Sequence, residues 1–199
     1  EEVLHDINFS LKRKSFVGIV GPNGGGKTTL LRLALGLEAP QRGSVSLFGK
    51  EPAMSRGRIG YVMQHLQYDK HFPVRTLDVV LMGLTHKRIL GPYRKVDKRT
   101  AFETLEKVGI TDLADRPFST LSGGQRQRAL IAQALISGPD MLILDEPTAN
   151  VDTEGEAAIH ELLRHLAGDI TIVMVSHNIN TVLDCATHVL CVNRSAAFN

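Results

Sequence analysis

The sequence predicts an α/β fold in which helices cover a largely parallel sheet. Three observations support this: strand and helix patterns alternate along the chain, several strand patterns are continuous apolar runs, and the stretch 74–137 shows helical patterns. Continuous apolar strands are typical of parallel sheets, which are buried on both faces. We therefore expect one domain over 1–199, with a core formed by 1–73 and 138–199 and a helical subdomain inserted at about 74–137.

The predicted elements follow one another in a regular order. In the first part of the core, strands are predicted at Ser15–Val20, Ser44–Phe48 and Arg58–Met63, with a helix at about Lys27–Leu35. In the insertion, helical patterns cover about 77–82 and 98–107, and a further helix covers Gly124–Ser137. After it come strand, helix, strand, helix and strand, at Met141–Leu144, 153–167, Ile170–Val175, 179–184 and Val189–Val192.

The composition indicates a globular cytosolic protein without a basic face. The 199 residues are 43% apolar and carry a formal net charge of +2, which argues against nucleic-acid binding. Cys185 and Cys191 form no CxxC pair and follow no secretory leader, so we expect reduced thiols. No apolar run reaches the length needed to span a bilayer. The chain begins without Met, and we expect both termini to be trimmed.

A glycine-rich loop after the first predicted strand has the composition of a phosphate-binding site. It fits the pattern GxxxxGK[ST] between a strand and a helix. Glycines let backbone N–H groups converge on phosphate oxygens, and the helix N-terminus adds partial positive charge. Lys27 supplies a charge for the outer phosphates of ATP, and the Thr28 hydroxyl can bind Mg²⁺. The predicted nucleotide-binding residues of this loop are Gly21, Pro22, Asn23, Gly24, Gly25, Gly26, Lys27, Thr28 and Thr29.

Two adjacent carboxylates follow the apolar run Leu142–Leu144. Successive side chains of a strand point to opposite sides, so Asp145 and Glu146 are expected to have different roles. Asp145 can reach toward a magnesium ion, usually through water. Glu146 would face the space beyond the γ-phosphate, where a hydrolytic water has to be aligned and lose a proton.

A second helix start has the features of an anion-binding site. The segment Leu121-Ser122-Gly123-Gly124-Gln125 combines a serine cap with two glycines and exposed backbone amides. One chain needs no second phosphate site for a single ATP, unless this site serves the ATP of a neighbouring chain.

These motifs and their order resemble the nucleotide-binding subunits of ABC transporters, and the resemblance runs along essentially the whole chain. It implies a P-loop NTPase (RecA-like) parallel-sheet core with an antiparallel β edge. It further implies that Gln64 contacts Mg²⁺ and the attacking water, and that His177 holds the γ-phosphate and positions Glu146. Asp152 resembles the residue that links the two sites of a dimer. The segment Ser122–Gln125 would grip the γ-phosphate bound by the opposite subunit.

The resemblance also implies how the protein works and what it binds. Two chains, expected to be identical, would stack head to tail with two ATP molecules between them and would hydrolyse ATP with Mg²⁺. Glu146, His177, Gln64 and Lys27 are the predicted catalytic residues, and Thr28, Gln64 and Asp145 the predicted metal contacts. Expected partners are an integral membrane permease and an extracytoplasmic substrate-binding protein. The subunit would lie on the cytoplasmic face of the membrane, held there by the permease.

Two positions depart from the family pattern. An aromatic residue upstream of the first strand usually stacks on adenine, and no such residue can be assigned here. The segment Met63-Gln64 stands where Pro-Gln is common, a change that should leave the role of the glutamine intact.

The cargo is suggested by family likeness alone. The segments Gln64–Gly83 and Val189–Arg194 are similar to importers of zinc and manganese. His65, His71 and His86 lack a paired ligand spacing and are interpreted as solvated surface residues. Two alternatives stay open: a transporter subunit for another cargo, and a non-transport ABC ATPase. The second is disfavoured because the chain has one set of motifs and no long coiled-coil or zinc insertion.

Overall fold

A computed structural model describes residues 3–64, 73–87, 91–149 and 151–198. The strands are β1 (Phe16–Val20), β2 (Ile59–Val62), β3 (Met141–Asp145), β4 (Thr171–Val175), β5 (His188–Asn193) and β6 (Ser195–Phe198). The helices are α1 (Lys27–Ala34), α2 (Pro52–Ser55), α3 (Thr76–Leu81), α4 (Lys95–Lys107), α5 (Gly123–Leu135), α6 (Thr153–Leu166) and α7 (Ile179–Leu183). None of the helices in these ranges is long and apolar enough to cross a membrane.

The strands form one sheet in the order β2-β3-β4-β1-β5-β6. All neighbours pair in parallel except β5 and β6, which are antiparallel. The loops after β1, β2, β3 and β4 therefore leave the same edge of the sheet, where ligands bind in open parallel sheets.

Alternate side chains of the central strands enter two separate apolar cores. In β1, Phe16 and Val20 belong to one buried cluster, while Val17 and Ile19 belong to the other. The first cluster also contains side chains of α3, α4, α5 and α6, and the second contains side chains of α1 and β5. Burial on both faces explains why these strands are continuous apolar runs in the sequence.

The region predicted as a helical insertion contains helices and 3₁₀ turns in its described part, 73–87 and 91–137. Its helix α5 contacts both β2 and α6, and its apolar residues share a core with the sheet. The predicted division into a core and an inserted subdomain stays a prediction, since this shared core does not separate the two parts.

One predicted strand was wrong. Residues 44–46 have no regular structure, and Leu47 forms only an isolated bridge with Lys50. Phe48 and Gly49, which lie between them, both have positive φ and close a tight turn instead of continuing a strand. A short run with β-forming residues needs a neighbouring strand, and the residues before β1 form none in the described range.

The other predicted elements were confirmed, with ends shifted by no more than a few residues. The antiparallel edge is also present, but β6 supplies it, and the sequence pattern did not reveal this strand. Arg194, at φ 61°, makes the tight turn between β5 and β6. Cys185 and Cys191 are both free thiols, as expected.

Candidate active site

The glycine loop between β1 and α1 encloses the ammonium group of Lys27. Its Nζ donates to the carbonyl oxygens of Gly21 at 2.8 Å and Pro22 at 3.0 Å, and the residue is only 7% exposed. Gly25 N also donates to Pro22 O at 3.1 Å. The positive charge is therefore held inside the loop by backbone dipoles and is available to an anion that enters the loop.

The turn between β5 and β6 supports this loop from behind. Arg194 N donates to Gly25 O at 3.0 Å. A Cβ atom on Gly21 would lie 1.9 Å from the carbonyl oxygen of Val192, so only glycine allows the loop to pass this close to β5. Sequence analysis missed this support because nothing in a local pattern near 194 points to a loop more than 160 residues earlier.

The carboxylate of Glu146 is the meeting point of two other predicted site residues. Gln64 Nε2 donates to Glu146 Oε2 at 2.9 Å, and His177 Nδ1 lies 3.1 Å from the same oxygen. A carboxylate only accepts hydrogen bonds, so the second contact requires a proton on Nδ1. The Glu146 side chain is 14% exposed and that of His177 is 65% exposed. Gln64 and His177, which are far apart in the sequence, thus contact the same oxygen atom of Glu146.

Sheet pairing and an unusual backbone conformation place Glu146. Asp145 pairs with Val175 at the ends of β3 and β4, and Glu146 N then donates to Val175 O at 2.9 Å. Glu146 has φ 48°, a left-handed conformation that is uncommon for a residue with a side chain. Such conformations persist when the surrounding structure holds them, and they are frequent at functional sites.

A cleft of about 300 Å³ lies at this edge of the sheet. Its lining consists of Val3, Asn23, Gly24, Gly26, Lys27, Thr28, Thr29, Gln64, Asp145 and Glu146. Asp145 is buried at the C-terminal end of β3, with 7% exposure. The cleft lining thus combines an ammonium group with carboxylates and hydroxyls. Outside the lining, on β2, burial raises the pKa of the Tyr61 phenol, the negative charge of Asp145 raises it further, and Arg32 opposes this.

The oxygen atoms in this cleft suit Mg²⁺. Thr28, Gln64 and Asp145 offer hydroxyl, amide and carboxylate oxygens, the ligand types that this ion prefers. Among the described residues there is no group of three or more His, Cys, Asp or Glu side chains that could hold a metal alone. Because Mg²⁺ usually takes one or two protein ligands and completes its shell with phosphate and water, this donor set fits the ion.

The second predicted anion site lies apart from the cleft lining. Ser122 Oγ accepts from Gln125 N at 3.3 Å, and Gln125 Oε1 accepts from Ser122 N at 3.0 Å. This reciprocal pair is a capping box that satisfies the N–H groups of Ser122 and Gln125 at the start of α5. Ser122 and Asp152 are both exposed and do not belong to the cleft lining among the described residues.

Two glycines bring the starts of α5 and α6 together. A Cβ on Gly124 would lie 3.0 Å from the Cα of Gly155, so a larger residue would force the two helix starts apart by a few tenths of an ångström. Asp152 caps α6 by accepting from Gly155 N at 2.9 Å. The segment Ser122–Gln125 and the segment around Asp152 are therefore fixed side by side. Sequence analysis predicted both segments but missed Gly155, whose role depends on a contact between helices.

Several known proteins are similar to this chain in sequence over most of its length. A family model described as "ABC transporter" matches residues 4–149. The zinc uptake system ATP-binding protein ZurA of Listeria monocytogenes is 40% identical, covering 100% of this chain and 80% of that protein. The manganese transport system ATP-binding protein MntB of Bacillus subtilis is 42% identical, covering 92% of this chain and 74% of that protein.

The fold is also found among solved structures. A dimeric post-hydrolysis state of the ATP-binding cassette MJ0796, bound to ADP and Pi, aligns with a TM-score of 0.83 and 27% identity. The alignment covers 99% of this chain and 90% of that cassette.

Proposed function

This chain belongs to the ABC transporter family as an ATP-hydrolysing subunit, and on that premise we propose that it powers the import of a divalent metal ion, zinc or manganese. The proposal for the chemistry depends on one observation above all, the contact of Gln64 and His177 with a single oxygen of Glu146. The proposal for the cargo is supported by relatives that are named as zinc and manganese transport proteins.

The glycine loop binds the triphosphate of ATP in this proposal. Lys27 is already desolvated and gives up its two carbonyl contacts for phosphate oxygens of higher negative charge. The amides at the start of α1 add the positive end of the helix dipole. No basic surface is needed, in agreement with the low net charge of +2.

Glu146 acts as the general base. It takes a proton from the water that attacks the γ-phosphate, and Gln64 and His177 hold its carboxylate in place. His177 is exposed on its outer side, so it can contact the γ-phosphate when ATP is bound. Positioning of this kind supplies most of the catalysis in phosphoryl transfer, because the protein forms no covalent bond to the phosphate.

Mg²⁺ has a place in this arrangement. Thr28, Gln64 and Asp145 would hold the ion, and the bound ion would neutralise charge on the phosphate oxygens. Burial of Asp145 keeps its carboxylate at a fixed position at the end of β3.

The active unit in this proposal is a head-to-tail dimer of identical chains. Each ATP would lie between the cleft of one chain and the segment Ser122–Gln125 of the other. This accounts for a capped helix start that lies outside the cleft of its own chain. Asp152, fixed beside that helix through Gly155, would then contact the site across the dimer.

The remaining partners follow from the transport role. A permease subunit would receive the force and hold the chain at the cytoplasmic face of the membrane, and an extracytoplasmic protein would deliver the metal. We assign the permease contact to the region that follows Gln64 and to the helices of 74–137. Met82 in this second region is 41% exposed and offers apolar contact surface, as does Met63, which directly precedes Gln64 and is 46% exposed. His65 and His71 lie outside the described residues, and the side chain of His86 is not described either.

The test is metal uptake by cells in which Glu146→Gln replaces the natural protein. We expect loss of uptake of either labelled zinc or labelled manganese at limiting metal, because ATP turnover falls by about a hundredfold or more without the base. Glu154→Gln is the matched control, since Glu154 is exposed on α6 and undergoes the same chemical change. Normal uptake of both metals with the variant expressed would contradict the cargo, while normal ATP turnover by Glu146→Gln would contradict the catalytic role.

A further inference from the structure

The carboxylate of Glu156 on helix α6 contacts two segments, one that follows Glu146 and one that follows His177. The hydroxyl of Thr148 donates to Glu156 Oε1 at 3.3 Å, and the hydroxyl of Thr181 donates to the same oxygen at 3.3 Å. Thr148 follows Glu146 by two residues, and Thr181 follows His177 by four. One oxygen atom therefore connects the loop after β3, the helix after β4 and the first turn of α6.

The surroundings of this carboxylate favour the two hydrogen bonds. Thr181 is 7% exposed and the Glu156 side chain is 32% exposed, so water competes only partly for the carboxylate. His160 Nε2, one turn further along α6, lies 3.8 Å from Glu156 Oε1, beyond hydrogen-bond distance. Burial lowers the pKa of His160, and the charge of Glu156 opposes this change.

The loop after β3 needs such support because its backbone is strained. Glu146 has φ 48°, and its turn is closed by a hydrogen bond of 3.1 Å from Ala149 N to Glu146 O. A left-handed conformation in a residue with a side chain is strained and relaxes when its surroundings allow it. The side chain of Thr148 links this strained turn to α6 through Glu156.

We propose that Glu156 is a positioning residue for hydrolysis, which keeps Glu146 and His177 at their contact distance. This inference rests on the proposed role of Glu146 as the base. Sheet pairing between β3 and β4 holds the start of the segment that follows each strand. Glu156 holds the same two segments a second time, from the side of α6. It acts through Thr148 and Thr181 and does not belong to the lining of the ATP cleft.

The test compares Glu156→Ala, Glu156→Gln and Glu154→Ala in the full-length chain assembled with its membrane partner. We expect Glu156→Ala to lower kcat about tenfold, as for the loss of hydrogen bonds to a charged group, with KM for ATP changed less than about twofold. Glu156→Gln should recover most of kcat, because an amide oxygen can accept both hydroxyls. Glu154→Ala should behave like the natural protein, since Glu154 is exposed on the same helix turn.

Thermal unfolding of the same variants separates positioning from a loss of stability. Assays well below each Tm should still show the fall in kcat, and Thr148→Val and Thr181→Val should each lower it less in a Glu156→Ala background than alone. Normal kcat in Glu156→Ala, or an equal fall in Glu154→Ala, would overturn the proposal. Glu146→Gln in the same assay distinguishes the causes: if it stops turnover while Glu156→Ala does not, only the positioning role fails. If Glu146→Gln keeps its turnover, the role of the base fails first.

Discussion

The cleft at the sheet edge and the start of α5 differ in how their polar groups are satisfied. In the cleft, Lys27 and Asp145 are each 7% exposed, and the Glu146 carboxylate is held by two side chains of the same molecule. At the start of α5, Ser122 is exposed and its hydrogen bonds go to Gln125 and Arg126, three and four residues away. The cleft is built by distant parts of the chain, whereas the helix start is built locally.

This difference indicates what each region contributes. A buried charge has to be compensated within its own chain, so we expect the cleft to bind nucleotide before any partner arrives. A capped helix start costs little to expose, and its amides can exchange the Gln125 and Ser122 contacts for those of an incoming anion. Such a helix start suits a surface that meets the nucleotide of a second chain.

The largest expected effect comes from paired variants, Lys27→Ala in the cleft and Ser122→Arg at the helix start. Both should lower ATP turnover by at least about a hundredfold, the usual cost of removing a group that stabilises developing charge. Only Lys27→Ala should weaken ATP binding to the single chain, because Ser122 lies outside the cleft lining. Binding of a fluorescent ATP analogue at low protein concentration, alongside phosphate release, measures both. Weakened binding in Ser122→Arg would break the distinction between the two regions.

A moderate effect is expected where the starts of α5 and α6 cross. A Cβ on Gly155 would lie 2.7 Å from both Asp152 Oδ1 and Val151 Cγ1, so Gly155→Ala must displace the cap of α6. Loss of this cap and crowding of α5 should cost about 1–2 kcal/mol of the free energy of unfolding, measured by denaturant titration. Gly57→Ala is the control, because a Cβ there meets no described atom within 4 Å. Equal stability of the two variants would show that the helices are not held by this contact.

The smallest expected effect is a pH dependence of stability from His160, which is 9% exposed on α6. Burial lowers its pKa in the folded chain, and Arg164 lowers it too, against Glu156 and Asp184. The unfolded chain then binds a proton more readily, so stability should fall as pH drops below the ordinary value of about 6.5. His160→Gln should remove this part, by less than about 1 kcal/mol after solvent screening, in denaturant titrations at pH 7.5 and 5.5. His165→Gln, exposed on the same helix, should keep the natural pH dependence.

Much of the fold could be predicted because its signals are local. The central strands β1, β3 and β4 each have five buried residues, most of them apolar, as burial on both faces of a parallel sheet requires. The strand predicted at Ser44–Phe48 failed for the opposite reason, because a strand also needs a partner and residues 3–15 form none. The strand β6 was missed because its pairing with β5 depends on a positive φ at Arg194, a residue type that does not usually mark such a turn.

The sequence by itself determined the phosphate loop, the two carboxylates that follow the apolar run Leu142–Leu144, Asp145 and Glu146, and the capped start of α5. In each of these, the residues that act together are neighbours in the chain, so their spacing alone predicts their geometry. The tertiary structure decided which groups meet across the sheet: Gln64 and His177 reach Glu146 from 82 and 31 residues away. It also decided that Glu156 joins the two loops and that Gly155 allows the helices to touch. These contacts arise from strand order and helix packing, which bring together residues that no local pattern connects.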